Sequence, residues 1–179
     1  MKFVFRKFLV RRDLEKIYTI MSDSNEQMEF QEKNPHNSIV EFENWILNQL
    51  RGSFHDFYII EVAETEQMVG FLYSYNFRLN DGHCMICVYI KPEFRNVGVG
   101  MQCGIRFIHE LFRDYTLRKI YLTVYDYNRQ SLLSNLHAGF HEEGCYKDYR
   151  YFYGKFWDMH LLAIDRDVFY QLHEKYLEM

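Results

Sequence analysis

The stretch CMICVYIKPEFRNVGVGMQCGIRFIHELF, residues 84–112, decides how the rest of the chain is interpreted. Its first part, residues 86–90, is apolar and β-branched, which predicts a buried strand. Pro92 ends that strand, because proline cannot donate to a sheet ladder. Apolar residues then recur at helical spacing and predict an amphipathic helix, with Met101, Ile105, Ile108 and Phe112 facing inward.

The turn between this strand and this helix has the features of an anion-binding device. The first N–H groups of a helix have no partner inside it, and the helix dipole favours negative charge there. Gly98 and Gly100 leave room for a ligand to approach the backbone. An ordinary strand–turn–helix connection explains the turn equally well, so the surrounding elements must decide.

Composition and charge narrow the class of protein. The 179 residues suffice for one domain with a substantial core, which we expect to span residues 1–179. The formal net charge of −4 argues against a nucleic-acid surface, which is normally basic, and suits a cationic substrate. No apolar run is long enough for a bilayer, and the N-terminus lacks a clean signal-peptide core. We therefore expect a cytoplasmic protein that binds neither nucleic acid nor membrane.

The four cysteines predict no metal site. Cys84 and Cys87 form a lone C-x-x-C, but residues three apart in a strand point to opposite faces. No second pair or nearby histidine pair completes a zinc site. Buried, reduced thiols are the expected outcome.

The remaining segments predict an α/β fold with one mixed sheet of about seven strands flanked by helices. The strands are expected at residues 2–9, 57–63, 68–76, 86–90, 119–125, 141–151 and 155–164. Asp13 is expected to cap a first helix, and Ser38 to open a second in an S-x-x-E capping box that Gly52 ends. Asn128 is expected to cap a helix over residues 129–138.

The connections between these elements predict how the strands pair. Short turns join the early strands, which indicates an antiparallel first half of the sheet. The strand at 86–90, its helix and the strand at 119–125 form a β-α-β unit, so these two strands are expected to be parallel. An additional C-terminal helix, which bears Val168, Leu172 and Tyr176, is expected at about residues 167–178.

Three blocks of sequence, in this order of elements, resemble the GNAT superfamily of acetyl-CoA-dependent N-acetyltransferases. The family's cofactor signature, [RQ]-x-x-G-x-[GA], stands here as RNVGVG at residues 95–100. Residues 128–131, NRQS, followed by Gly139-Phe140, look like its N-x-x-[AS]…GF helix. The closing segment at residues 153–162 is similar to the ribosomal-protein and spermidine N-acetyltransferase branch.

The resemblance implies a set of cofactor-binding residues for acetyl-CoA as cosubstrate. Backbone N–H groups of the turn would hold the pyrophosphate, at Arg95, Asn96, Val97, Gly98, Val99, Gly100 and Met101. Backbone groups near Val88 and Ile90 would bind the pantetheine arm and polarise the thioester carbonyl, in a gap between the parallel strands. Asn128 would bind the pantetheine or the thiol end of the cofactor, besides capping its helix.

The resemblance leaves the proton-transfer residues open. Many GNAT enzymes place a tyrosine where this chain has Asn135, and some relatives place a glutamate where it has Met85. Ser131 is a candidate to stabilise the departing thiolate, although a simple capping role explains it as well. His83 is a candidate base, because imidazole takes up protons near neutral pH. An idle surface histidine, a base acting through water, and an amine already deprotonated by its pocket are equally compatible.

The acceptor side is expected in the segment from residue 22 to residue 37. Glu29 and Glu32 lie there and predict an acidic, aromatic-lined pocket for a primary amine, against the alternative of a solvated loop. A small-molecule amine and a peptide N-terminus are both compatible, with the amine attacking directly in a ternary complex. The aromatic final strands are a candidate homodimer surface.

Two other functions compete with an acetyltransferase. A Rossmann dinucleotide enzyme is disfavoured, because its G-x-G-x-x-G fingerprint needs a third glycine where this chain has Cys103. A non-catalytic, regulatory acetyl-CoA-binding domain is the stronger alternative, because Met85 and Asn135 replace both common proton-transfer residues.

Overall fold

The computed structural model describes residues 2–23, 38–95 and 98–177. Its strands are β1 Phe3–Lys7, β2 Phe54–Val62, β3 Met68–Arg78, β4 His83–Ile90, β5 Lys119–Tyr125, β6 His141–Phe152 and β7 Lys155–Asp165. Its helices are α1 Val10–Ser22, α2 Ile39–Gly52, α3 Val99–Asp114, α4 Arg129–His137 and α5 Arg166–Leu177. A short 3₁₀ turn, Pro92–Phe94, follows β4.

The seven strands form one sheet in the order β1-β2-β3-β4-β5-β7-β6. β4 and β5, which α3 connects, pair in parallel. All the remaining pairs of neighbouring strands in the sheet are antiparallel. This confirms the predicted mixed sheet, its antiparallel first half and its parallel pair. The final hairpin enters with β7 beside β5, which leaves β6 at the sheet edge.

The side chains of β4 divide between two apolar layers. Cys84, Ile86 and Ile90 pack with residues of α3 in one layer. Tyr89 packs in the other layer, with residues of α1 and α2. Because side chains alternate along a strand, Met85 and Cys87 project on the same face as Tyr89. We call these two faces of the sheet the α3 side and the α2 side.

Two predicted helix ends are wrong and one is confirmed. α1 begins at Val10, so Asp13 is not its N-cap. Asp13 lies buried in the first turn instead, where its carboxylate accepts the Leu9 N–H at 2.8 Å and pairs with Arg6 at 2.9 Å. Gly52 is the last residue of α2 rather than a stop beyond it. The Ser38 cap is confirmed, since its hydroxyl accepts the Glu41 N–H at 3.3 Å.

The inward face of α3 is confirmed only in part. Ile108 and Phe112 are buried and Ile105 is partly buried, as the periodicity predicts. Met101, at the start of the helix, is 38% exposed, so its predicted inward position is wrong. Val99, in the same first turn, is buried, so the helix is anchored there while Met101 faces outward.

The buried face of α5 is not formed by the apolar residues singled out in the sequence. Val168 and Leu172 are exposed, whereas Phe169 and His173 are buried. Phe169 packs against Phe112 of α3, with 5.5 Å between the ring centroids. His173 Nε2 donates to the Ala138 carbonyl at 2.8 Å, just after the end of α4. Burial of the large aromatic ring decides the rotation of the helix.

None of the four cysteines, which all lie in the described part of the chain, forms a disulfide. Burial raises the pKa of Cys84 and of Cys103 to about 12. Within the described ranges, no cluster of three or more histidine, cysteine or acidic side chains has a geometry that could hold a metal ion.

None of the helices in the described part of the chain is long and apolar enough to cross a membrane.

Candidate active site

The parallel strands β4 and β5 separate half-way along their length. Their pairing covers His83 to Met85 on β4 and Lys119 to Tyr121 on β5. Beyond Met85, β4 continues to Ile90 paired only with β3, while β5 continues to Tyr125 paired only with β7. Two neighbouring strands thus open into a wedge-shaped gap at their carboxyl ends. We call this opening the strand gap.

Backbone groups of β4 face into the strand gap. The Lys91 N–H bonds to the Val69 carbonyl of the β3 side at 2.9 Å. Because backbone groups alternate in direction along a strand, those of Val88 and Ile90 point the other way, towards β5. The structure therefore places the two residues predicted to hold the pantetheine arm with their N–H groups lining the gap.

The turn after β4 is braced by Arg95. Its Nε donates to the Ile90 carbonyl at 2.7 Å, and its guanidinium lies 5.5 Å from the centroid of the Tyr89 ring. The side chain thus closes the turn onto the carboxyl end of β4 and brings a positive charge to that end. Asn96 and Val97, also predicted for this site, lie outside the described residues.

The N-terminus of α3 has no side-chain cap. Gly98 occupies the N-cap position in the left-handed conformation, with φ of 80°, and among the described residues no side chain caps the first turn. The first intrahelical bond runs from the Gln102 N–H to the Gly98 carbonyl at 3.0 Å. The N–H groups of Val99, Gly100 and Met101 precede it and point out of the helix end.

The space in front of this helix end fits a phosphate group. A Cβ added at Gly98 would meet no protein atom within 4 Å, so the volume beside this backbone is open. A Cβ at Gly100 would lie 3.4 Å from the Ile90 side chain, which makes this the close wall of the cradle. Open space, N–H groups and a helix dipole together suit the pyrophosphate of acetyl-CoA.

The N-terminus of α4 lies at the carboxyl end of β5 and is capped. The Asn128 side chain accepts the Ser131 N–H at 3.2 Å, which confirms the predicted cap. Ser131 in turn contacts Asn135, whose amide nitrogen lies 2.8 Å from the Ser131 carbonyl and 3.2 Å from its hydroxyl oxygen. The predicted residues Asn128 and Ser131 are thus brought to the same end of the sheet as Gly98.

A brace involving His160 holds the segment before α4. Its Nε2 lies 2.8 Å from a carboxylate oxygen of Asp126, and its Nδ1 lies 2.5 Å from one of Glu142. Burial opposes the charge on this imidazole, but the hydrogen bonds with the two carboxylates outweigh it and raise the pKa of His160. Asp126 is therefore tied to the sheet just before Asn128.

The α2 side of the sheet carries a cavity where the strand gap begins. Its volume is about 260 Å³, and it is lined by Asn76, Arg78, His83, Met85, Tyr121 and Leu161. His83 lies edge-on to Tyr121, with 5.5 Å between the ring centroids. Met85 lies in this cavity, and Asn76 donates to its sulfur at 3.5 Å.

The structure unites some of the predicted catalytic and substrate residues and leaves others apart. His83 and Met85 share the cavity, whereas Ser131 lies on α4 at the carboxyl end of β5. Glu29 and Glu32 fall outside the described residues. Sequence reasoning missed Tyr121 of β5 and Asn76 and Arg78 of β3. Strand alternation in KIYLTVY was the one signal for Tyr121, since it places Tyr121 and Thr123 on one face.

A larger cavity, of about 510 Å³, lies at the opposite end of the sheet. It is lined by residues of the loop before β5 and of the β7–α5 junction, namely Thr116, Leu117, Arg118, Asp165, Arg166 and Asp167. It is remote from the strand gap and from the N-termini of α3 and α4. The smaller cavity is therefore the one that adjoins the strand gap.

The sequence matches one known protein family. A family model described as "Acetyltransferase (GNAT) domain" matches residues 7–161. No curated protein matches the chain significantly.

Solved structures share the fold at low sequence identity. Spermidine N-acetyltransferase from Vibrio cholerae, in complex with CoA and spermine, is 19% identical with a TM-score of 0.80, over 93% of this chain and 97% of that chain. A chimera of the Vibrio cholerae enzyme SpeG and hSSAT is 22% identical with a TM-score of 0.77, over 100% of both chains.

Proposed function

The chain belongs to the GNAT acetyltransferase family, and on that premise we propose that it transfers the acetyl group of acetyl-CoA to a primary amine of a polyamine-like small molecule. The resemblance found in the sequence is thereby confirmed at the level of the family. Acetyl-CoA is the cosubstrate, and the reaction class is acyl transfer.

The observation that carries the proposal is the coincidence of two features at one end of the sheet. The strand gap opens at the carboxyl ends of β4 and β5, and the uncapped N-terminus of α3 follows β4 directly. One feature offers backbone hydrogen bonds to an extended chain, and the other offers N–H groups to a pyrophosphate. A ligand that carries an extended arm joined to a pyrophosphate, as acetyl-CoA does, can bind to both features at once.

The residue roles follow from this placement. Bound acetyl-CoA supplies an acetyl thioester and a thiolate leaving group. The backbone from Arg95 to Met101 binds phosphate, and the N–H groups of Val88 and Ile90 orient the arm and polarise the thioester carbonyl. Ser131 donates a hydrogen bond to the departing sulfur, and Asn128 holds Ser131 in the N-terminal turn of α4.

The acceptor amine is proposed to occupy the cavity on the α2 side. His83 in this cavity is the candidate base for the attacking nitrogen. His83→Gln should lower turnover at neutral pH by about 100-fold if it takes that proton. Undiminished turnover would leave the nitrogen to lose its proton to water.

A polyamine is the preferred acceptor class. The chain carries a net charge of −4, and a solved structure of the same fold holds spermine. Glu29 and Glu32 are proposed to bind the cationic end of the acceptor. Reversing both charges should raise the KM for the amine without changing the affinity for acetyl-CoA, and an unchanged KM would count against these two residues.

The alternative function is a regulatory domain that binds acetyl-CoA without turning it over. Met85 in the cavity and Asn135 on α4 favour it, because neither side chain can transfer a proton. It predicts acetyl-CoA binding with no CoA release in the presence of amines. A peptide N-terminus remains the second acceptor class for an active enzyme.

The deciding experiment measures CoA release and acetyl-CoA binding side by side. The protein is incubated with acetyl-CoA and a panel containing spermidine, spermine, an amino acid, an aminoglycoside and a short peptide. Calorimetric titration with acetyl-CoA, NAD and NADP measures binding separately. Release with polyamines above the other amines supports the proposal, and acetyl-CoA binding without release supports the regulatory alternative. Dinucleotide binding instead of acetyl-CoA would overturn both.

The protein is proposed to act in the cytoplasm, because none of its four cysteines forms a disulfide. It is also proposed to form a homodimer. The β6–β7 hairpin lies at the sheet edge and exposes Tyr146, Tyr149, Tyr151, Tyr153 and Phe156. Such a patch favours self-association. Sedimentation of the wild type against a variant with serine at positions 153 and 156 tests the dimer.

A further inference from the structure

The side chain of Asn135 contacts Ser131 through one atom. The Asn135 nitrogen Nδ2 lies 2.8 Å from the Ser131 carbonyl oxygen and 3.2 Å from the Ser131 hydroxyl oxygen. A backbone carbonyl can only accept a hydrogen bond, so the amide atom that faces it must be the NH₂ group. That group has only hydrogens to offer, so the Ser131 hydroxyl oxygen is the acceptor in this contact.

The direction of the Ser131 hydroxyl proton follows from this contact. With a lone pair turned towards Asn135, the O–H bond must point away from it. Among the described residues, Ser131 makes one further contact with a side chain: its backbone N–H donates to Asn128 Oδ1 at 3.2 Å. The hydroxyl is therefore a donor whose proton no described side chain takes up, fixed at the N-terminal turn of α4.

We propose that Asn135 is a positioning residue, which turns the Ser131 hydroxyl proton towards the sulfur of CoA. The inference rests on the proposed function. In that reaction the nitrogen forms a bond to the acetyl carbon, the carbon–sulfur bond breaks, and its electron pair leaves on sulfur. The nitrogen loses its proton to His83, the candidate base, which passes it on to water, and the sulfur takes a proton from water. Ser131 keeps its own proton throughout and stabilises the sulfur anion by a hydrogen bond.

The pair has a consequence that is independent of turnover. A donor aimed at the sulfur stabilises the thiolate over the thiol, so it lowers the pKa of bound CoA. CoA binding near the thiol pKa should therefore release protons. The release is measured by titrating CoA in two buffers of different ionisation enthalpy. Desulfo-CoA, which has no thiol, gives the baseline.

The test compares Asn135→Asp with Ser131→Ala, their double variant and Ser134→Ala. An aspartate carboxylate accepts a hydrogen bond from the Ser131 hydroxyl and so turns the O–H bond away from the sulfur. We expect Asn135→Asp to reduce proton release on CoA binding and to lower kcat about tenfold, with the KM for acetyl-CoA changed less than about twofold. Ser134 lies on the same helix and has no described side-chain bond, so Ser134→Ala should match the wild type.

The double variant separates positioning from charge. If Asn135 acts through Ser131, adding Asn135→Asp to Ser131→Ala changes neither proton release nor kcat further. A further loss in the double variant would show that the new charge acts directly, and it would overturn the inference. Unchanged proton release in Asn135→Asp would overturn it as well. A wild type that transfers no acetyl group contradicts the proposed function alone, and proton release still decides the role of Asn135.

Discussion

The N-termini of α3 and α4 lie at the same end of the sheet but are finished in opposite ways. α3 begins at a left-handed glycine, Gly98, with no side-chain cap, and α4 begins at Asn128, whose side chain accepts a first-turn N–H. An uncapped helix end has donors left for a ligand, whereas a capped end has its own backbone satisfied. The first end is thus suited to bind a phosphate, and the second to hold the side chain of Ser131 in place.

The braces behind these two ends also differ. Arg95 ties the turn before α3 to Ile90 through a guanidinium, a kind of group that proteins do not deprotonate. His160 ties Asp126 before α4, and its charge is lost when the imidazole titrates. One end is therefore insensitive to pH near neutrality and the other is not.

The largest expected effect comes from filling the uncapped end. Gly98→Val and Gly100→Val should each weaken acetyl-CoA binding by about 100-fold or more, because a side chain enters the space beside the N–H groups. Gly98→Val should also cost about 1–2 kcal/mol of stability, because valine is strained at a φ of 80°. Calorimetric titration and urea unfolding measure the two effects.

Gly104→Ala is the matched control on the same helix. A Cβ there meets nothing within 4 Å, and the position lies one turn further into α3. Its affinity for acetyl-CoA should be unchanged and its stability up to about 1 kcal/mol greater. If both valine variants bind as well as this control, the phosphate site lies elsewhere.

The next effect in size concerns the capped end and appears in turnover rather than in binding. Ser131→Ala should lower kcat about tenfold while the affinity for acetyl-CoA stays within about twofold, because the hydroxyl acts on the departing sulfur. Steady-state kinetics with a saturating amine checks this against the glycine variants. Equal losses in affinity and in turnover would place Ser131 in the binding site.

Removing the cap itself should have a smaller effect, mainly on folding. Asn128→Ala should destabilise the protein by about 1 kcal/mol, because the Ser131 N–H loses its acceptor. Asn128→Asp keeps an acceptor oxygen and should unfold like the wild type in urea. If Asn128 also binds the cofactor, the aspartate variant separates the roles by losing affinity alone, and full affinity would leave Asn128 with the cap only.

The smallest effect is a pH dependence confined to the α4 end. Because the folded-state pKa of His160 is raised above its ordinary value of about 6.5, its contribution is complete below that value. The contribution is lost as the pH rises through the raised pKa. It should amount to about 1 kcal/mol at most, since both carboxylates are partly exposed. His160→Gln should flatten this decline in urea unfolding between about pH 6 and 9, and an unchanged slope would assign the decline to other groups.

The sequence was sufficient for the strands and for the glycine turn, because each depends on local patterns. Alternation and β-branching place β5, and the β-α-β rule makes it parallel to β4. The extent of the strand gap was not predictable, since the end of the pairing at Met85 and Tyr121 depends on how two distant strands diverge. Some of the cavity residues were missed for the same reason, because the four strands β3, β4, β5 and β7 contribute its lining.

The errors in helix ends and faces have a common cause. Asp13 is of a residue type that often caps helices, but its pairing with Arg6 of β1 decides its position. In α5, Phe169, Leu172 and His173 all stand at helical spacing, so periodicity alone permits more than one inward face. Contacts with other elements, rather than the pattern within the helix, resolve the choice in both helices.

The buried cysteines determine how the reaction can be followed in practice. Thiol reagents react with thiolates, and a pKa of about 12 leaves Cys84 and Cys103 almost wholly protonated at assay pH. A chromogenic disulfide added during turnover therefore reports CoA, above a fixed background from the half-buried Cys87 and Cys145 of no more than two equivalents per chain. Pre-treating the protein with an alkylating reagent would remove that background while sparing the core.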